Sequence, residues 1–388
     1  MALQLQNKIM DNAIKTKEGN LILDSHKLSY HIERVNAWEN GERIAPISVD
    51  MSLTRGCGAM CSFCYAMMQE SQSRYPIKVK HALELLDDFA EIGVKSVSLV
   101  SDGESTLSKA YIPFIQHAAK LNIDVANATN AWEWEPEKIE QVLPHLTWVR
   151  FTVATGRPES YASVMYKGPE QTNVFYRAMK HIKYAVDLKK KKNLKVTLGI
   201  QMVLTPELKD EIIPFAKLGI DLGVDYAVIK HCSDDEQKTL GIDYTKYENM
   251  FDELKQAEKM SNEKTKIIVK WNKIKDGDKP SYNRHFGPQF LLQISGSGLV
   301  APSGGFFNAK HSKLHIGNYT EERFKSIWES ERYWRAMNYI SSPYFDAHTM
   351  MGTLPIQHYV NVALDNHVKG ISRITEGKGK KPLHHNFL

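Results

Sequence analysis

Three cysteines close together constrain this chain more than any other feature of its sequence. Cys57, Cys61 and Cys64 are separated by three and two residues and directly follow an apolar, strand-like run. Thiolates are the ligands of iron–sulfur clusters, and a cubane cluster has four irons to hold. One loop with three cysteines would ligate three of these irons and leave the fourth open to a ligand that is not protein.

A zinc site and a disulfide scaffold are the two alternative uses of these thiols. Zinc usually takes four nitrogen or sulfur ligands in paired Cys-x2-Cys form, and no second pair exists among the 4 cysteines of the chain. A disulfide scaffold is disfavoured in a chain of 388 residues with so few cysteines and a polar N-terminus unlike a signal peptide. The spacing therefore favours the cluster.

The same loop resembles the Cys-x3-Cys-x2-Cys loop of the radical S-adenosylmethionine (SAM) enzymes. In that family the free iron binds the amino and carboxylate groups of SAM, and an electron from the cluster cleaves SAM to methionine and a 5′-deoxyadenosyl radical. The resemblance implies a [4Fe–4S] cluster on Cys57, Cys61 and Cys64, SAM as second cofactor, and the aromatic ring of Tyr65 near the adenine. It also implies a reducing partner such as flavodoxin or ferredoxin.

Short apolar runs alternate with longer amphipathic runs from residue 47 onwards, which predicts βαβ units and a parallel sheet. Gly93 and Gly223 are placed to end two of the helices. The predicted strands are 47–53, 96–100, 123–126, 148–153, 195–204 and 225–230. The predicted helices are 79–92, 109–121, 136–143, 174–188 and 207–222. The pattern is similar to the partial (β/α)6 TIM-like barrel of the radical SAM family, where chemistry takes place at the carboxyl ends of the strands.

The segment after the second strand resembles the Gly-Gly-Glu motif that contacts the methionine amino group of SAM in the family. Here Asp102 replaces the first glycine, while Gly103 and Glu104 match. A carboxylate suits an ammonium group, and a glycine lets the backbone approach the ligand. A plain surface turn is the alternative, because Asp-Gly is a common turn dipeptide. The position after a strand favours the binding role.

Other strand ends carry further candidates for the SAM site. Asn130 lies in a Thr-Asn-Ala segment that resembles the family's Thr-Asn-Gly, and Thr152 and Thr155 offer hydroxyls after the fourth strand. Gln201 is a polar residue in an apolar run, and it would face either the barrel interior or outwards. Arg157 and Tyr161, in an Arg-Pro-Glu-Ser-Tyr segment, resemble the start of the family's fourth helix.

The sixth strand ends in residues that we expect to face the substrate. Lys230 and Asp234 would bind a polar substrate. Cys232 is the only cysteine outside the cluster loop, and a lone cysteine is commonly a small buried hydrophobe. At the barrel mouth its S–H group could instead give a hydrogen atom to a substrate radical, as in some radical SAM epimerases.

The chain divides into a lead-in (1–44, with a short strand at 20–23), a barrel (45–236), a bridge (237–286) and a C-terminal cap (287–388). The bridge contains a helical stretch (244–260) and a strand-like run (266–271). The cap contains a glycine-rich hairpin (290–307) and a helix (322–339), and it resembles the SPASM or twitch extension of radical SAM enzymes. Ser303 stands where that extension has a cysteine for an auxiliary cluster. Because no cysteine follows Cys232, we predict a small α+β cap without a cluster.

The bulk composition is that of a soluble globular protein, with a net charge of +5 and no apolar run long enough to span a membrane. The weak basic balance disfavours nucleic acid, and the lysine run 189–192 is predicted to be a solvated loop. Reduced thiols indicate the cytoplasm. We expect His348, His358, His384 and His385 to be surface or packing residues.

The sequence thus predicts a radical SAM enzyme that abstracts hydrogen from a small polar substrate. Without an auxiliary cluster to accept an electron, redox-neutral outcomes are favoured: epimerisation, rearrangement or elimination. One alternative is radical SAM modification of a peptide, a nucleotide or a nucleic acid. The other is a non-enzymatic iron–sulfur or zinc protein.

Overall fold

The computed structural model describes residues 13–64, 77–168, 170–353 and 355–388. Two short strands, β1 (Ile14–Lys15) and β2 (Asn20–Leu21), form a separate antiparallel pair. The other strands form one ten-stranded sheet in the order β12-β11-β10-β3-β4-β5-β6-β7-β8-β9. These strands are β3 (Ser48–Met51), β4 (Ser96–Leu99), β5 (Asp124–Thr129), β6 (Leu146–Thr152), β7 (Thr197–Leu204), β8 (Tyr226–His231), β9 (Lys266–Val269), β10 (Leu291–Ile294), β11 (Leu299–Ala301) and β12 (Gly317–Asn318).

The six predicted strands are confirmed as β3 to β8, and neighbouring strands pair in parallel throughout. Helices cover the outside of this sheet, which is a partial TIM-like α/β architecture. The helices are α1 (Ile32–Glu39), α2 (Val79–Ile92), α3 (Tyr111–Lys120), α4 (Pro136–Val142), α5 (Pro158–Tyr166), α6 (Asn173–Lys192), α7 (Ile212–Leu222), α8 (Phe251–Lys259), α9 (Trp271–Asp276), α10 (Phe324–Glu329), α11 (Glu331–Ile340), α12 (Ala347–Met350) and α13 (His358–Val368). As predicted, Gly93 and Gly223 end α2 and α7 in the left-handed conformation.

Several predicted elements differ in the structure. The lysine run 189–192 is the last turn of α6 and not a loop, because the helix continues to a left-handed cap at Asn193. Lys189 pairs with Asp225 at 2.7 Å and is therefore not simply solvated. The predicted helix 322–339 is two helices, since Ser330 caps α11 by accepting a hydrogen bond from the Tyr333 N–H.

The segments after the sixth barrel strand extend the same sheet on both sides. β9 pairs in parallel with β8, and β10 pairs in parallel with β3. β10 and β11 form the predicted hairpin, with Gly298 in its turn at a φ of +87°. The hairpin is therefore a continuation of the barrel wall next to the first strand.

The two faces of the barrel strands have different chemistry. Val49, Val97 and Phe151 belong to the main apolar core, which includes buried side chains of the helices. The alternate positions point into the barrel and are largely polar: Asp50, Ser98, Arg150, Gln201 and Lys230. The barrel thus has a polar lumen within an apolar shell.

The N-terminal end of the barrel is closed by the C-terminal tail. The Ser96 hydroxyl donates to the Asn386 carbonyl at 2.7 Å, and the Asn386 amide donates to Asp124 at 2.7 Å. The ring of His384 lies 2.9 Å from the Thr197 hydroxyl, so this histidine has a packing role, as predicted. The open end of the lumen is accordingly the end at which the strands finish.

No helix in the described ranges is long and apolar enough to cross a membrane.

Candidate active site

The cluster loop, residues 57–64, follows β3 and lies against α5. The Met60 and Ser62 N–H groups each donate to a carbonyl of that helix at 2.9 Å, those of Met165 and Val164. The three thiols form no disulfide; Cys57 is exposed, and Cys61 and Cys64 are half-buried. Tyr65, predicted to lie near the adenine, is outside the described residues.

Burial is the main influence on the Cys61 thiol. It raises the pKa of that thiol well above its usual range, and the neighbouring Cys64 and Cys57 thiols raise it further. At neutral pH the metal-free loop therefore holds this sulfur as a thiol. Binding of a cluster, which needs thiolates, would release protons from the loop.

Glu104 connects three parts of the site. Its carboxylate accepts hydrogen bonds from the Asn130 N–H at 2.9 Å and from the Thr106 hydroxyl at 2.8 Å, and its own N–H donates to the Gly56 carbonyl at 2.9 Å. Burial raises the pKa of Glu104. The Asn130 amide nitrogen lies 3.9 Å from the Cys57 sulfur. The segments after β4 and β5 thereby meet the cluster loop.

Gly103 lies where no side chain fits. An added Cβ would be 1.8 Å from the Thr54 carbonyl oxygen, and a Cβ on Gly296 would be 2.3 Å from the Thr54 carbonyl carbon. The backbone just before the first cysteine is therefore held between two glycines, one after β4 and one in the turn between β10 and β11.

Asp102, the departure from the family's Gly-Gly-Glu, has a structural role that the sequence did not indicate. It is buried, and its carboxylate accepts from the Ser295 hydroxyl at 2.6 Å and from the Gly296 N–H at 2.7 Å. It also forms an ion pair with Arg55 at 3.2 Å. Asp102 thus fastens both the cluster loop and the C-terminal hairpin to the end of β4.

We expect an Asp102→Ala substitution to lower the free energy of unfolding by about 3–5 kcal/mol, because it leaves the Arg55 charge buried without its carboxylate. Urea denaturation of the purified protein measures this. Asp221→Ala, at an exposed position on α7, is the matched control and should change stability by less than about 0.5 kcal/mol. Equal stability of the two variants would contradict this structural role of Asp102.

Thr152 and Gln201 are neighbours in the register of β6 and β7 and both face the lumen. Gln201 is 4% exposed, and its side-chain oxygen has no hydrogen-bond partner in the part of the chain that is described. This geometry resolves the orientation of Gln201 in favour of the interior. Thr155 instead donates to the Arg157 carbonyl at 3.3 Å, within the turn that precedes α5.

Arg157 and Tyr161 support the site from outside. Arg157 pairs with Glu211 at 2.9 Å, and the Tyr161 hydroxyl accepts from the Trp132 indole N–H at 2.9 Å. Trp132 and Met165 were missed by the sequence reasoning; Met165 places its sulfur 3.5 Å from Cys61. An apolar residue shortly after a strand end was the only available signal for Trp132.

Cys232 and Asp234 lie where β8 ends. Cys232 is fully buried; its S–H donates to the Ser233 carbonyl at 3.4 Å, and burial raises the thiol pKa to about 12. One Asp234 oxygen accepts from the Asp235 and Leu240 N–H groups, at 2.8 and 2.9 Å, and shapes the loop. Its other oxygen is buried and has no partner among the described residues.

The donor set of the loop fits a cluster with one open iron, although no three His, Cys, Asp or Glu side chains of the described residues are gathered closely enough to hold a single metal ion. Three thiols lie in one loop at the barrel mouth and form no disulfide, a buried acid lies beside them, and the backbone approaches the loop at a glycine that tolerates no Cβ. Residues 51–219 match the family model described as the Radical SAM superfamily. Residues 51–219 are therefore a radical SAM domain, and the cofactors of that superfamily are a [4Fe–4S] cluster and SAM.

Similar proteins agree with this assignment. Over 103 residues the chain is 32% identical to the sporulation killing factor maturation protein SkfB of Bacillus subtilis (strain 168), a match that covers 26% of this chain and 24% of SkfB. Streptococcus suis SuiB bound to SAM has a TM-score of 0.59 at 16% identity, covering 79% of this chain and 72% of SuiB. SuiB bound to its precursor peptide SuiA has a TM-score of 0.58 at 15% identity, covering 89% and 78%. The chain thus spans about a quarter of SkfB, and SuiB shares its fold.

Proposed function

We propose that this protein is a radical SAM enzyme that abstracts hydrogen from a small polar substrate in the barrel lumen and reaches a redox-neutral product. The observation that carries the proposal is the junction of Glu104, Asn130 and Cys57 at the barrel mouth. When bound, the cluster and SAM supply a 5′-deoxyadenosyl radical by reductive cleavage of SAM, with the electron from a flavodoxin or ferredoxin.

The chain's own residues would bind and orient the cofactors. Cys57, Cys61 and Cys64 would ligate three irons, and Glu104 would face the ammonium group of SAM near the backbone of Gly103. Asn130, Thr152 and Gln201 would hydrogen-bond SAM from the ends of β5, β6 and β7. The unpartnered Gln201 oxygen supports this role, because a buried amide oxygen without a hydrogen bond is costly unless a ligand satisfies it.

The C-terminal hairpin supports a redox-neutral outcome. Ser303 is buried, and its hydroxyl lies 3.3 Å from the side-chain oxygens of both Gln293 and Gln357. Gln357 donates in turn to the Leu291 and Pro302 carbonyls, at 3.1 Å each. A hydrogen-bonded amide network therefore occupies the position where the resemblance would place an auxiliary cluster, and no cysteine follows Cys232.

Iron content and electron paramagnetic resonance (EPR) test the proposal. After anaerobic reconstitution we expect about four irons per chain and a spectrum of the reduced protein that changes when SAM is added. About eight irons would contradict the cluster-free hairpin. Zinc without iron, or a spectrum insensitive to SAM, would contradict the enzyme and favour a structural or sensing protein.

Cys232 is the candidate hydrogen-atom donor to the substrate radical. Its sulfur is protonated at neutral pH, lies near Lys230, and would need an electron and a proton from the reductant after each turnover. We expect Cys232→Ala to bind a full complement of iron and to cleave SAM, while the final product falls at least about tenfold. Product formation at the parental rate would assign Cys232 to packing.

Peptide modification is the second candidate, favoured by the 32% identity to a protein named for maturation of a sporulation killing factor. The lumen would then receive one residue of a peptide. Incubating the reconstituted enzyme with SAM, reductant and peptide pools, followed by mass spectrometry, distinguishes the two. A SAM-dependent mass change in a peptide would select this candidate over the small substrate.

A further inference from the structure

Four cationic side chains meet in the barrel lumen, on elements far apart in sequence. Arg150 is on β6 opposite Gly199 of β7, and Lys230 is on β8 opposite Val203. Lys270 directly follows β9, where its N–H donates to the Ile229 carbonyl of β8 at 2.9 Å, and Lys273 follows on α9. We call Arg150, Lys230, Lys270 and Lys273 the lumen cations.

The lumen cations are not neutralised by the protein. In the described ranges no carboxylate lies within the 4.0 Å ion-pair distance of any of them. The Arg150 guanidinium lies over the Trp148 ring at 5.4 Å, and its Nε is buried without a partner in those ranges. Lys273, which is 8% exposed, donates to the Ser233 hydroxyl at 3.0 Å. The Lys270 ammonium lies 5.7 Å from the Tyr359 ring and interacts with the Asp24 carboxylate beyond ion-pair distance.

Burial and mutual repulsion make this arrangement costly without a ligand. Burial, together with repulsion from the other cations, lowers the pKa of Lys273 to about 7 and that of Lys270 to about 8. The nearby acids compensate only in part: Asp24 raises the pKa of Lys270 and Lys273, but burial raises the pKa of Asp24 itself and raises that of Asp50 to about 7. Buried like charges are retained at such a cost where a ligand of opposite charge binds.

We propose that the lumen cations bind an anionic group, a carboxylate or a phosphate, of the substrate. Arg150 supplies a planar donor pair, which suits either oxyanion, and the lysines supply point charges. The buried, unpartnered Asp234 oxygen lies just after the end of β8, and it would accept a hydrogen bond from a substrate hydroxyl or amino group. The assignment of the anion to the substrate rests on the proposed function. The binding of an anion by the lumen cations does not depend on that function.

Equilibrium dialysis with radiolabelled inorganic phosphate tests the site on the reconstituted, SAM-loaded enzyme. Phosphate binding should weaken at least tenfold in Lys230→Met and in Lys273→Met, two substitutions that remove the charge and keep an unbranched side chain. Lys191→Met, at an exposed lysine in the last turn of α6, is the matched control and should bind phosphate as the parent does. Glutarate, added as a competitor, distinguishes the two anions. If glutarate binds more tightly than phosphate, the substrate carries a carboxylate. If glutarate binds more weakly, the substrate carries a phosphate.

Two results would overturn the proposal. Equal phosphate binding in the parent and both lysine variants would show that the lumen holds no anion site. Loss of the SAM-induced EPR change in Lys230→Met would show that the cations hold the carboxylate of SAM instead. If Lys230→Met does not fold, Lys230→Gln replaces it. Specific phosphate binding without SAM cleavage would support the anion site and contradict the radical function. Failure of the anion site and failure of the proposed function therefore give different results.

Discussion

A Gly103→Ala substitution is expected to reduce SAM cleavage about 100-fold, because displacing a catalytic loop by about 1 Å costs that much. The new Cβ would lie 1.8 Å from the Thr54 carbonyl oxygen, and the contacted atoms are backbone that cannot rotate away. Gly296 confines Thr54 from the hairpin side, so the loop would have to move as a unit and carry Cys57 with it. Chromatographic assay of 5′-deoxyadenosine from the reconstituted protein measures the loss.

Gly305→Ala is the matched control for this experiment. It lies in a turn of the C-terminal hairpin segment, has no left-handed φ, and an added Cβ has no atom within 4 Å. It should cleave SAM at the parental rate and have parental stability. If Gly103→Ala and Gly305→Ala behave alike, the close approach of Gly103 to the cluster loop does not matter for catalysis.

The second large effect is expected from the cluster ligands. Cys61→Ala should reduce iron from about four per chain to less than about one, because two thiolates cannot retain a site-differentiated cubane. SAM cleavage should then fall below detection. Ser62→Ala, an exposed position in the same loop, should keep its iron and its activity. Full iron in Cys61→Ala would mean that the cluster is held elsewhere or that the metal is of another kind.

The strands of the barrel and the residues at their ends could be predicted because the information is local. Apolar runs of strand length, helical periodicity and end glycines located β3 to β8 and the helices between them within a few residues. Glu104 and Asn130 could be expected to lie close together, since each comes shortly after a strand and parallel strands bring such positions together.

The lumen cations could not be predicted, because the direction of a strand residue depends on register. Arg150 is surrounded in sequence by apolar residues that pack on helices, and only its pairing with Gly199 shows that it points inwards. Lys270 and Lys273 follow a short strand that the sequence indicated as part of a bridge, and their place in the lumen comes from the pairing of β9 with β8.

Asp102 was unpredictable for another reason. In sequence it is one half of an ordinary turn dipeptide beside a motif, and its partners Ser295 and Gly296 lie 193 and 194 positions away. Contacts of that separation leave no periodic or compositional trace. The lysine run 189–192 shows the opposite error, since its composition suggested a loop while the helix simply continued through it.

The two-sided confinement of Thr54 has a consequence for the order in which the protein matures. The cysteine loop leaves the ribosome early, but Gly296 of the hairpin that completes its support is made about 240 residues after Thr54, which at about 5–20 residues per second is a delay of about 12–48 s. During that interval the three reduced thiols are present without the hairpin of β10 and β11 that supports their loop. We therefore expect cluster insertion to follow completion of the sheet, so that synthesis of the C-terminal hairpin decides when the enzyme can become active.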